Sequence, residues 1–155
     1  MKRALITVAI LELLLTAVLV VHQRTSGPRP AADAALYRTR AATDELASRV
    51  AASLREVAAR RESFTEDGRL APDAAGELTG VVTAVPGAHL FALDAAGDGV
   101  LVTVGLRVTA TVGDESVTAG RCASFEVSPG ADVYPQPGTC AGSWGPEGPP
   151  PHLLP

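Results

Sequence analysis

The sequence predicts an α+β protein: an N-terminal transmembrane helix, then a long amphipathic helix packed on a small antiparallel β-sheet, with one disulfide. Three observations carry that prediction. An 18-residue apolar segment, residues 4–21, opens the chain and has Glu12 as its only charged residue. Apolar side chains then recur at three- and four-residue spacing through residues 43–61, the pattern of one helix face. Residues 102–112 alternate apolar and polar, the pattern of a half-buried strand.

Taken in order, residues 1–21 read as a membrane anchor or signal segment. As a helix, residues 4–21 are about 27 Å long, close to the ~30 Å hydrocarbon core of a bilayer. That exceeds the usual apolar core of a signal peptide, and the nearest small-x-small pattern, Ala32-Asp33-Ala34, lies well past its end. Retention as an anchor, with the lipid bilayer as its partner, is therefore preferred over cleavage. Arg24 and Arg29 balance Lys2 and Arg3 across the segment, so the charge rule gives little orientation. The cysteines supply it, because a disulfide-bonded domain belongs outside the cytoplasm. The expected location is the cell membrane, single-pass with the C-terminal domain extracytoplasmic, or secretion if the segment is cleaved. Glu12 costs about 2.5–3.5 kcal/mol at a helix centre, which the flanking leucines offset. It is the candidate for an intramembrane contact, with another membrane protein or a second copy.

The stretch Ile10-Leu11-Glu12-Leu13-Leu14 resembles the apolar helix of type IV pilins and pseudopilins, which carries a glutamate early. The resemblance covers about a dozen residues and implies a filament subunit with one long continuous helix. The family's processing site is missing. Residues 22–35 also read as a flexible linker punctuated by Gly27, Pro28 and Pro30, which would interrupt such a helix.

Residues 36–140 are the expected extracytoplasmic α+β domain. Its helix is read from Leu36 to Arg61, with a stripe of Thr43, Leu46, Val50, Leu54, Val57 and Arg61 widened by Ala47 and Ala58. This face packs on the domain's own sheet or serves self-association. Residues 64–76 read as a connection with a turn at Asp67-Gly68, and Pro72 starts a short helical turn. Residues 78–85 are the expected first strand, stopped by Pro86-Gly87, and residues 89–93 the second. Residues 94–99 are a loop. The hairpin of residues 102–112 and 116–127, turned at Gly113-Asp114-Glu115, is the firmest tertiary feature. Arg121 breaks the phase of its second strand, which implies a bulge near Gly120 or a place at the sheet edge.

Residues 141–155 form a Pro/Gly-rich tail without periodicity, expected to be disordered or loosely packed, with Trp144 available to cover an apolar edge. Cys122 and Cys140 are the only cysteines. A bridge between them pins this tail against the last strand and is worth about 3 kcal/mol by loop closure.

Composition narrows the function. Only 4% of residues are aromatic, so the core must be built from Val, Leu and Ala. The twelve arginines against one lysine, with no asparagine, look like codon bias of a GC-rich bacterial genome and exclude N-glycosylation. The region after the apolar segment is acidic overall, which disfavours nucleic acid. The cysteine spacing is not a Cys-x-x-Cys redox motif, and His22, His89 and His152 are scattered. Asp94 and Asp98 lack the ligand pattern of a calcium loop. Ser116 and Ser124 have no adjacent base. No catalytic, cofactor or metal site is expected. The leading expectation is a membrane-anchored, non-catalytic binding or scaffolding module of the bacterial cell envelope, with a membrane or envelope protein as partner. The alternatives are a secreted small enzyme or inhibitor after signal-peptide removal, and a pilin-like filament subunit.

Overall fold

The computed structural model describes residues 30–141, 144 and 148–154. Its first element, helix α1, spans Pro30–Arg60. It therefore begins inside the stretch expected as linker. Ala31, Ala32, Ala34 and Ala35 are the best helix formers, and Asp33 places a negative charge in the first turn, where the helix dipole favours it. Residues 22–29 lie outside the described residues.

The stripe read from the sequence is the buried face of α1. Leu46, Val50, Leu54 and Val57 are buried, with Ala47, Ala51 and Ala58 between them. Nearer the N-terminus the stripe continues in small residues, Ala35, Thr39 and Thr43. The Thr39 hydroxyl donates to the Ala35 carbonyl at 2.6 Å, and Thr43 donates to the Thr39 carbonyl. Both buried hydroxyls are thus satisfied within the helix.

A two-stranded hairpin follows, β1 (Thr65–Glu66) and β2 (Arg69–Leu70). Asp67 and Gly68 turn it with φ of 51° and 73°, the left-handed pair that a tight two-residue hairpin requires. Phe64, just before it, is fully buried, and its N–H donates to the Asp98 carbonyl at 3.1 Å.

The strand expected over residues 78–85 is instead part of helix α2, Pro72–Thr83. The buried side chains are Ala74, Leu78 and Val82, spaced by four. That spacing makes one helix face, whereas the run Val81-Val82-Thr83 suggested a strand through β-branching alone. Thr79 and Thr83 donate their hydroxyls to the carbonyls of Ala75 and Thr79, which accommodates both in the helix.

Strands β3 (Ala88–Ala96), β4 (Gly99–Val112) and β5 (Glu115–Val127) form an antiparallel meander. β3 runs further than expected. Asp94, Ala95 and Ala96 pair with Leu101, Val100 and Gly99, so the expected loop shrinks to Gly97-Asp98. The β4–β5 register is unbroken from Val100↔Val127 to Val112↔Glu115, so no bulge lies near Gly120. Arg121 sits opposite Leu106 on the helix-facing side and reaches Asp44 of α1 at 2.7 Å. The register shift falls in β3 instead, between Leu90 and Ala92.

Two short strands complete the sheet along the outer edge of β5: β6 (Pro135–Pro137), antiparallel, and β7 (His152–Leu153), parallel. The sheet is therefore mixed, not purely antiparallel, because the expected loose tail supplies a strand. Both helices cover one face. The core joins the α1 stripe and α2 to Val100, Val102, Val104, Leu106, Ala123, Phe125 and Val127, and among the described residues Val133 is the last to join it.

The expected transmembrane helix is not part of this fold. Among the described residues no helix is long and apolar enough to cross a membrane. The longest, α1, carries exposed arginines and acids along its outer face, including Arg38, Glu45, Arg49 and Glu56. Residues 4–21, Glu12 and the pilin-like stretch lie outside the described residues. Membrane anchoring, the lipid partner and the single-pass location consequently have no support in the described structure, and the same holds for a partner met through Glu12.

Candidate functional site

Among the described residues, the chemistry-bearing side chains read from the sequence come together in one place, the Cys122–Cys140 disulfide, with Cα atoms 5.6 Å apart. Cys122 lies on the sheet face away from the helices, opposite Gly105. Its neighbours on that face include Thr103, Arg107, Thr109, Thr118 and Ser124. The bond fixes what lies on either side of Cys140.

Upstream of Cys140, residues 132–137 form a ridge along the sheet edge. Val133 is buried and anchors it to the core. Arg55 of α1 donates to the Val133 carbonyl at 3.0 Å and pairs with Asp132 at 3.5 Å. At the other end, the Gly138 N–H donates to the Cys122 carbonyl at 3.2 Å. Between these anchors Tyr134 is 64% exposed, and Pro135, Gln136 and Pro137 are exposed beside it. Gln136 pairs with Ser124, so the flanking prolines turn their nitrogens away from β5. Those nitrogens carry no hydrogen, and the ridge cannot recruit another strand through them.

Downstream, the chain folds back over the open sheet face as a strap. Trp144 is only 5% exposed and meets the Phe91 ring edge-on at 5.2 Å between centroids, with His89 at 6.4 Å. Its floor is Gly105. A Cβ there would stand 2.8 Å from the indole and 2.5 Å from Phe91. Gly120 plays the same part for Pro150, 2.7 Å from the position of a Cβ. Arg107 donates to the Gly148 carbonyl at 3.0 Å, and the Leu154 N–H donates to Gly120 at 2.7 Å. The tail read as loosely packed is therefore seated at Trp144, Gly148, Pro150 and residues 152–154. A strand-interior glycine is a signal of close approach, and Gly105 and Gly120 were that signal.

The strongest electrostatic cluster lies elsewhere, where α1 ends against α2. Arg61, expected to close the stripe, is 17% exposed at its side chain and donates to Glu77 and Asp73, each at 2.8 Å. Arg60 donates to the other Glu77 oxygen at 2.9 Å. The hydrogen bond from Arg61 is the main cause holding both carboxyls below their ordinary range, with Arg60 adding to the effect at Glu77. The same bonds raise Arg61 above its ordinary value. The cluster is a clasp between helices. All its charges are paired within the clasp.

The remaining candidates stay apart. Asp94 lies on β3 and Asp98 in the turn, and among the described residues no group of three His, Cys, Asp or Glu side chains is placed to hold a metal. His89 stands against Trp144, while His152 is exposed on β7. Ser116 only accepts from Thr111 at 3.4 Å. A small cavity of about 90 Å³ is lined by Arg121, Cys122 and residues 135–137, at the foot of the ridge. No known protein family, curated protein or solved structure matches this chain.

Proposed function

We propose that this chain is an exported, non-catalytic binding domain of the inhibitor kind, which engages a partner protein through the ridge of residues 132–137. The observation that carries the reading is Tyr134, a large side chain 64% exposed on a segment immobilised at both ends. A segment already held in its bound shape loses little conformational entropy on association, which is how small disulfide-fixed domains bind well with modest area. Tyrosine suits the role because it presents a rigid amphipathic ring with few rotatable bonds. Export is supported by the cysteine bond, since such bonds persist in oxidising compartments.

The test places a photo-crosslinking side chain at Tyr134 and, separately, at Arg49 on the outer face of α1, in the full-length exported protein. The reading expects one discrete adduct from position 134 and none from position 49. Excess unlabelled protein should suppress that adduct, and excess Tyr134→Ala protein should not. Equal adducts from both positions, or none from 134, contradict it.

A further inference from the structure

Going beyond the ridge, we propose that the strap carrying Trp144 is a redox-released latch: the Cys122–Cys140 bond holds the indole in a glycine-floored slot, and reduction by a dithiol frees it. The slot is built for a flat ring. Gly105 sits in the middle of β4, where any side chain would occupy the indole's place, and Phe91 closes the side. Phe91 stands at the register shift of β3, and its ring meets the indole on this face.

Two further observations make the strap separable from the fold. Among the described residues, none beyond Val133 belongs to the hydrophobic cluster that joins the helices to the sheet, although Leu154 lies beside Arg40 and Thr43 of α1. Apart from the bond, the contacts described for the strap are the Trp144 and Pro150 rings, the Arg107 bond to Gly148, the Leu154 bond to Gly120 and the two-residue pairing of β7. Trp144 lies only four residues past Cys140, so the bond keeps the indole at high local concentration over its slot. Neither sulfur is sealed in the core, because both Cys122 and Cys140 are only half-buried.

The chemical step is thiol–disulfide exchange. A thiolate of the dithiol attacks one sulfur of the bond and forms a mixed disulfide. The second thiol of the reductant resolves it. Two electrons and two protons pass to Cys122 and Cys140, and the reductant leaves as its own disulfide. The freed surface then presents the His89 and Phe91 rings and the glycine floor.

Trp144 is the only tryptophan, so its emission reports the latch directly. The full-length protein is measured with and without dithiothreitol, by tryptophan emission, acrylamide quenching and far-UV circular dichroism. A Cys122→Ser, Cys140→Ser double variant is measured without reductant. The latch predicts a red-shifted, several-fold more quenchable indole in the reduced protein and in the variant, with the helical signal unchanged. A shielded indole after reduction overturns it, because the strap then stays without the bond. Loss of the helical signal together with the shielding also overturns it, because the bond is then a staple of the whole domain.

Discussion

Replacing Gly105 by alanine tests the seating of Trp144 with a single methyl group. The new Cβ stands 2.5 Å from Phe91 and 2.8–2.9 Å from two indole carbons, closer than real contacts allow. Burying an indole removes about 200 Å² from water, roughly 5 kcal/mol as an upper bound at ~25 cal/mol per Å². The methyl need not expel the ring, but it must lift it by about an ångström. A gap of that size forfeits about a quarter to a half of the contact attraction. The expected loss is therefore about 1.2–2.5 kcal/mol. Relief of the glycine entropy in a strand returns about 0.5–1 kcal/mol, leaving Gly105→Ala about 1 kcal/mol less stable. Urea unfolding followed by tryptophan emission measures both quantities on one sample. The oxidised variant should unfold at lower urea, with a native-state emission shifted to longer wavelength. An unchanged native emission with stability raised by about 0.5–1 kcal/mol would refute the packing of Trp144 on Gly105.

Two other perturbations probe the scaffold. Leu54 is fully buried at the centre of the α1 stripe, so Leu54→Ala should lower unfolding stability by about 2–5 kcal/mol in urea, against near zero for Ala52→Ser on the exposed face. Glu77 is held below its ordinary pKa by Arg61 and then Arg60, so the unfolded chain binds the extra proton. The stability this supplies is present above about pH 4.5 and is lost as pH falls through the folded value. Glu77→Gln should therefore cost about 1 kcal/mol at pH 7 and progressively less as pH falls through the folded value, read as a flatter acid limb in thermal melts across pH. Asp73 still faces Arg61 in that variant, so part of the slope remains.

The elements legible in the sequence were those whose burial is one-sided and long. The alternation of residues 102–112 and the three-and-four stripe of α1 each repeat often enough to fix a period. Residues 74–82 were not legible, because three buried positions spaced by four compete with a β-branched run whose local preference favours strand. The start of α1 was hidden by prolines that read as linker, although the alanines between residues 31 and 35 favour helix. Arg121 looked like a fault in the strand because its partner, Asp44, lies on another element far away in the chain.

The site divides in the same way. The pairing of Cys122 with Cys140 follows from there being only two cysteines. The seat of Trp144 does not, because it depends on Phe91, Gly105 and Gly120, which three different strand positions bring together only after the sheet has formed. No periodicity marks a segment held by single rings and single hydrogen bonds. Two glycines inside otherwise regular strands were the available signal.

The account rests most heavily on the bond that fixes both the ridge and the strap. Intact-mass analysis of the protein purified without reductant, alkylated before and after reduction under denaturing conditions, tests it directly. The structure predicts no adduct before reduction and two after it, with one linked peptide joining Cys122 to Cys140. Two adducts without reductant would mean that neither the ridge nor the strap is fixed as described.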